Sequence, residues 1–223
     1  GKIISTNLLL TGNGNFNLGS TTNNISIISA GSNASRLGSL NFTNSNALVV
    51  GSVGSNSGIY TTGTIAISTL TGDLSVSQNI NTQNTSTTAL ILNSSQSTAA
   101  GVSSGGDLKF SGGASITIGA NARAKLYSGS ISGSTGLTTI TGSGSNRFRY
   151  NSDESNSNYS LSLGTGTHAI YRERPSLTIV ADDKTVTYGT APTLTTTVNG
   201  LQNGDTAAQT LSTVASVAVG GSK

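Results

Sequence analysis

Across 223 residues the chain is 34% hydrophobic and 4% aromatic, which excludes a thick layered core, and its 9% charged residues and net charge of +3 lack the high charge of disordered chains. Its eleven cations form no run or stripe, which argues against a nucleic-acid partner, and the absence of cysteine removes disulfides and Cys-based metal sites. No apolar stretch approaches the roughly 18 residues of a membrane helix, so membrane insertion is not expected, and "GKIISTNLLL" is too short and interrupted for a signal peptide.

From the N-terminus onward the chain reads as short strands without helices. Alternating pairs recur as "ISI", "LNF", "IAI", "LSV", "LKF" and "ITI", separated by Gly, Asn, Ser and Thr. Phe16, Leu40, Ile65, Leu90, Ile116 and Ile140 sit in such pairs at separations of 24, 25, 25, 26 and 24 residues. A weaker series follows eight or nine residues later at Ile25, Leu48 and Leu74, with Ala99 and Ala100 near its fourth position; Leu108 and Phe110 fit neither series.

A fixed period of this size marks stacked supersecondary units. Strands and turn residues without helices make each unit one coil of a parallel β-helix, whose narrow lumen needs few apolar residues. A β-sandwich also has many short strands, but it supplies no reason for a 25-residue superperiod. Glycine and asparagine suit the coil corners, and stacked Asn and Thr are expected to form side-chain ladders.

Catalytic chemistry finds little support. Asp73 and Asp107, each in a "GD" step, fall at different phases of the repeat as the series is drawn, which argues against the carboxylate pair of a glycosidase. His168 is the only histidine and lacks the partners of a metal site. The large aromatics Tyr60, Phe110 and Tyr127 lie at mismatched phases, so the alternative, a carbohydrate-binding or carbohydrate-active β-helix, lacks its expected row of rings or acids. No catalytic, cofactor-binding or metal residue is expected, and no enzyme activity.

Charge concentrates late in the chain: ten of the nineteen charged residues lie between Arg147 and Lys184. Arg147 and Arg149 alternate with Phe148 and Tyr150, predicting a strand with one cationic face and one face on the last coil. Asp153 and Glu154 are expected to pair with those arginines, and Arg172, Glu173 and Arg174 repeat the arrangement before Pro175. These seven residues read as the polar closure of the stack.

The stretch from "LYSGS" through "FRYNSDES" to "AIYRERP" resembles the segment that ends the β-helical shaft of large bacterial exoproteins of the filamentous-haemagglutinin kind. "LTIVADDKTVTYG" and "PTLTTTVNGLQNGDT" resemble the opening of an MBG module, a β-sandwich repeat of such proteins, although Thr190 stands where that module more often has an acid. The expectation is therefore an all-β chain: a right-handed parallel β-helix of about six coils over residues 1–146, its end and junction over 147–175, and the N-terminal part of an MBG-like β-sandwich module over 176–223.

The resemblance implies export by two-partner secretion through an outer-membrane transporter. It also implies a place outside a Gram-negative cell or on its surface, and a role in adhesion, aggregation or biofilm toward a host or cell-surface ligand that it does not identify. Homotypic chain-to-chain contacts building a filament are expected at "TLTTTVNG".

Overall fold

A computed structural model of the chain describes residues 1–211. The chain is all-β and divides into two compact units: Gly1–Gly142 with Arg147–Arg174, and Ser143–Asn146 with Pro175–Lys223.

The first unit contains β1 (Ile4–Leu10), β2 (Phe16–Leu18), β3 (Asn24–Ala30), β4 (Leu40–Asn44), β5 (Leu48–Val50), β6 (Ser52–Val53), β7 (Asn56–Ser57), β8 (Ile59–Thr61) and β9 (Ile65–Thr69). It continues with β10 (Leu74–Val76), β11 (Ile80–Thr82), β12 (Leu90–Asn93), β13 (Leu108–Phe110), β14 (Ile116–Thr117), β15 (Arg123–Ser128), a short helix α1 (Leu137–Thr141), β16 (Phe148–Arg149) and β17 (Gly166–Tyr171).

Parallel pairing joins strands far apart in sequence. One sheet runs β2, β4, β9, β12, β15, β17, β16, in register through Leu18, Phe42, Ile67, Leu92, Leu126, Ala169 and Phe148. The other is continued from β3 in two directions: Ile28 leads to Val50, Val76 and Phe110, and Ala30 to Ile59, Ile80 and Ile116. Alternation sends every second residue inward, so Leu40, Phe42, Ile65, Ile67, Leu90 and Leu92 from one sheet meet Leu48, Val50, Leu74, Val76 and Leu108 from the other in one core. Each such side chain contributes about 1.5–3 kcal/mol on burial, which explains how a chain with few apolar residues supports a fold.

The interval read from sequence holds for Phe16, Leu40, Ile65 and Leu90, which are in register. It then fails: the partner of Leu90 is Ala124, and that of Ala124 is Thr167. Ile116 pairs instead with Ile80 in the other sheet, and Ile140 lies in α1. The cause is the segment from Ser94 to Asp107, which lengthens the connection between β12 and β13. The second series continues to Leu108 with Phe110, in register with Leu74 and Val76, whereas Ala99 and Ala100 belong to the inserted segment.

Polar side chains close the corners. The buried Asn23 accepts the Ile3 N–H at 2.9 Å and donates to the carbonyls of Leu18 at 2.8 Å and Thr43 at 3.1 Å; Asn44 accepts the Ile25 N–H at 2.9 Å. Each pairs backbone groups whose isolation in the interior costs about 1–3 kcal/mol. Side-chain ladders appear as single rungs, Asn41 to Asn17 at 2.8 Å and Thr43 with Ser68 at 3.2 Å. Gly58 turns the chain between β7 and β8 with φ of 76°, and a Cβ there would lie 2.2 Å from the Asn79 carbonyl oxygen, so only glycine fits.

In the second unit, β18 (Thr178–Ala181) pairs antiparallel with β19 (Thr196–Asn199), Thr178 opposite Asn199 and Ala181 opposite Thr196. Hydroxyls of Thr195 and Thr197 donate to Asp182 and hold its carboxyl below the usual range. A short helix, α2 (Ala207–Thr210), starts with a Thr206–Gln209 capping box. The Gly144 N–H donates to the Asn203 carbonyl at 2.9 Å, which ties Ser143–Asn146 to this unit.

Candidate functional site

The segment from Arg147 to Arg174 was the sequence's strongest signal, and in the structure it covers one end and one outer face of the first unit. Phe148 enters the core beside Ala169. Its ring stacks near Tyr171 at 6.4 Å, and Tyr171 stacks on Tyr150 at 5.7 Å, so three aromatic rings finish the apolar column.

Arg149 alternates with Phe148, as expected, but its face is covered rather than exposed. Only 6% of Arg149 meets solvent; its guanidinium lies 5.4 Å from the centre of the Tyr159 ring, and Nη1 donates to the Phe148 carbonyl at 2.7 Å. The cover is apolar: Tyr127, Leu163 and Ile170 form a second buried cluster with Ile91 and Tyr159. Burial pushes the Tyr127 phenol up to about 12. Arg147 stays exposed, its guanidinium against the backbone of Gly166.

The acids engage different partners from those expected. Asp153 accepts N–H bonds from Ala100 at 2.8 Å, Ser155 at 2.7 Å and Asn156 at 2.6 Å. Burial would raise its carboxyl, but these donors hold it below the usual range. Glu154 accepts the Ser97 N–H at 2.5 Å and pairs with Arg172 at 3.3 Å.

Arg172 is completely buried and donates to the Thr98 carbonyl at 2.8 Å, the Ser94 carbonyl at 2.7 Å and the Asn93 side-chain oxygen at 2.5 Å. Its own carbonyl accepts the Gly101 N–H at 2.8 Å. Glu173 accepts the Ile131 N–H at 2.6 Å, and Arg174 is exposed. Arg172, Asp153 and Glu154 thus come together around the segment inserted after β12. Sequence reasoning paired these charges with near neighbours because it did not place that insertion beside them.

Asp73 and Asp107 also differ from expectation. They precede the registered pair Leu74 and Leu108 and are adjacent across the strands, not at different phases. Asp73 accepts the Asp107 N–H at 2.9 Å and meets Lys109 at 2.5 Å; Asp107 accepts the Ser130 N–H at 2.6 Å. Burial would raise the Asp73 carboxyl, but Lys109 and the Asp107 N–H bring it below the usual range, the wrong direction for a general acid. The Asp73–Lys109 pair is well exposed, at 35% and 40%. Lys109→Met is expected to change stability by about 0–1 kcal/mol in urea unfolding; a loss of several kcal/mol would show a larger structural role.

His168 faces outward on β17 yet is only 3% exposed, in register with Lys125. Burial first, then Arg149, Arg147 and Arg123, lower its pKa to about 4, and the Thr165 backbone opposes this only in part. The alternation in "RAKLYS" was the available signal for the outward Arg123 and Lys125, but nothing in that string indicates that His168 lies beside them. Among the described residues no group of three or more His, Asp or Glu is placed to hold a metal ion.

Comparison with curated proteins and with solved structures returns no significant match. The family model described as MBG domain (YGX type) matches residues 177–222, a stretch that includes Tyr188–Gly189, so the second unit carries an MBG-type module.

Proposed function

We propose that the chain is a non-enzymatic structural and adhesive segment of a secreted bacterial surface fibre, with the first unit a right-handed parallel β-helix of about six coils acting as a stiff spacer. The observation that carries this reading is the pair of parallel sheets sharing one core, with strands joined to counterparts about one coil away in sequence. Right-handed crossovers are the rule for parallel connections. The commitment of Asp73, Asp107, Asp153 and Glu154 to backbone and cationic partners supports a structural role for the acids.

The resemblance to filamentous-haemagglutinin-like exoproteins supports two-partner export through an outer-membrane transporter and a role at the cell surface in adhesion, aggregation or biofilm. Chain-to-chain contact is assigned to β19, which among the described residues pairs only with β18 in a two-stranded sheet. Two strands alone are marginal and leave edges that another chain can extend.

Electron microscopy of the native material is expected to show rods or filaments; a compact globular particle from the full-length protein would overturn the reading. Deleting residues 176–223 is expected to abolish chain-to-chain assembly, and assembly that persists unchanged would refute the role of β19. Turnover in a panel of polysaccharide substrates would replace this reading with the enzymatic one.

A further inference from the structure

The outer face of β15, β17 and β16 carries positive charge that the contacts above do not use. On β15, Arg123 and Lys125 alternate with the core residues Ala124 and Leu126 and therefore face away from the core. Gly166 and His168 stand beside them in register on β17. The Arg147 guanidinium reaches over Gly166, where a built Cβ would come within 2.8 Å of Nη1. Since neighbouring strands lie about 4.8 Å apart, Arg123, Lys125 and Arg147 bracket one small area.

Their hydrogen-bonding capacity is largely open. Arg123 donates from Nε to the Gly164 carbonyl at 2.6 Å and from Nη2 to that of Leu163, so its Nη1 remains available. Arg147 and Lys125 form no hydrogen bond or ion pair among the described residues. Beneath them, His168 is 3% exposed and its ring nitrogens have no side-chain hydrogen-bond partner, the Thr165 backbone being the group that approaches the ring. The acids nearest Arg147 in sequence, Asp153 and Glu154, and Glu173 after β17 are committed to Ala100, to Ser97 with Arg172, and to Ile131, and Asp107, the nearest to Arg123 and Lys125 in sequence, accepts the Ser130 N–H.

Like charges gathered without a counter-charge repel, and a bound anion converts that repulsion into attraction. Planar guanidinium groups match the oxygen spacing of such an anion, and an ammonium adds a point charge.

We infer that this face binds a tetrahedral oxyanion, a sulfate or phosphate group, held by Arg147, Arg123 and Lys125 with His168 beside it. The charged groups facing His168 are Arg149, Arg147 and Arg123, with Lys125 in register next to it. An anion there offsets their field, so binding favours the imidazolium and a proton is taken up with the ligand. The site does not depend on the chain's being part of a fibre.

As the only histidine, His168 gives one unambiguous set of imidazole ring signals, and its pH titration by NMR is the test. The probes are inorganic sulfate and inorganic phosphate, each against chloride at constant ionic strength. Saturating sulfate or phosphate is expected to raise the imidazole pKa by about one unit, and Arg147→Gln, at an exposed position, to weaken binding about tenfold or more. Lys2→Gln is expected to leave binding unchanged.

Sulfated dextran, compared with plain dextran and with free sulfate at equal sulfate concentration, separates the sources. Tighter binding of the polymer assigns the group to a larger molecule and equal binding assigns it to the free ion, and both support the site. Absence of an anion-specific shift, or an undiminished shift in Arg147→Gln with an intact circular dichroism spectrum, would overturn it.

Discussion

Arg172→Met is expected to destabilise the first unit by about 3–5 kcal/mol, the largest loss we anticipate from any substitution outside the apolar core. The side chain is fully buried and serves the Asn93 side chain, the Ser94 and Thr98 carbonyls and Glu154 together. Methionine fills similar volume but leaves those acceptors unmatched in the interior. Arg172→Lys is expected to recover only part of the loss, because an ammonium cannot reproduce the planar fan of donors. The urea midpoint should fall, and amide exchange should accelerate first between Ser94 and Gly101, the segment this side chain holds. Equal stability of Arg172→Met and the parent would show that the inserted segment is anchored by other contacts.

Mild acid is expected to weaken the outer cover through His168. The imidazole has a pKa of about 4 in the folded chain against 6.5 in the ordinary range, so the folded state prefers it neutral. A depressed pKa means that the unfolded chain binds the proton first. Stability is therefore complete above pH 6.5, declines as pH falls, and the loss is complete below about pH 4, amounting to about 3 kcal/mol. Asp153 and Asp73, whose carboxyls are held below the usual range, add their own losses only as pH falls below 3.8.

His168→Gln removes the first decline and keeps the second. Thermal unfolding followed from pH 7 to pH 3 in both chains provides the comparison. Parallel curves between pH 6.5 and 4 would show that the imidazole does not carry this dependence.

The registered apolar positions were legible where the connections are short and repeat the same length. Phe16, Leu40, Ile65 and Leu90 could be found by spacing because nothing interrupts the return of the chain to the same place. Ala124 could not, because the insertion after Asn93 shifts the register and the pairing depends on where that extra chain is folded away. Leu108 was missed for the same reason, although its neighbour Asp107 stands directly beside Asp73.

Sequence by itself determined the all-β class, because period-two alternation of a few apolar residues among Gly, Asn, Ser and Thr admits strands and excludes thick layers and long helices, although it gave no sign of the short α1 and α2. It also marked Arg147–Arg174 as a region apart, since charge is scarce elsewhere. Only the tertiary structure decided what those charges do. A guanidinium at position 172 becomes an interior anchor because the inserted segment brings Asn93, Ser94 and Thr98 around it, whereas Arg123, Lys125 and Arg147 meet on an outer face because strands far apart in sequence pair in parallel. Burial and the placement of counter-charges are properties of register, and register is set by connection lengths that a string of residues does not display.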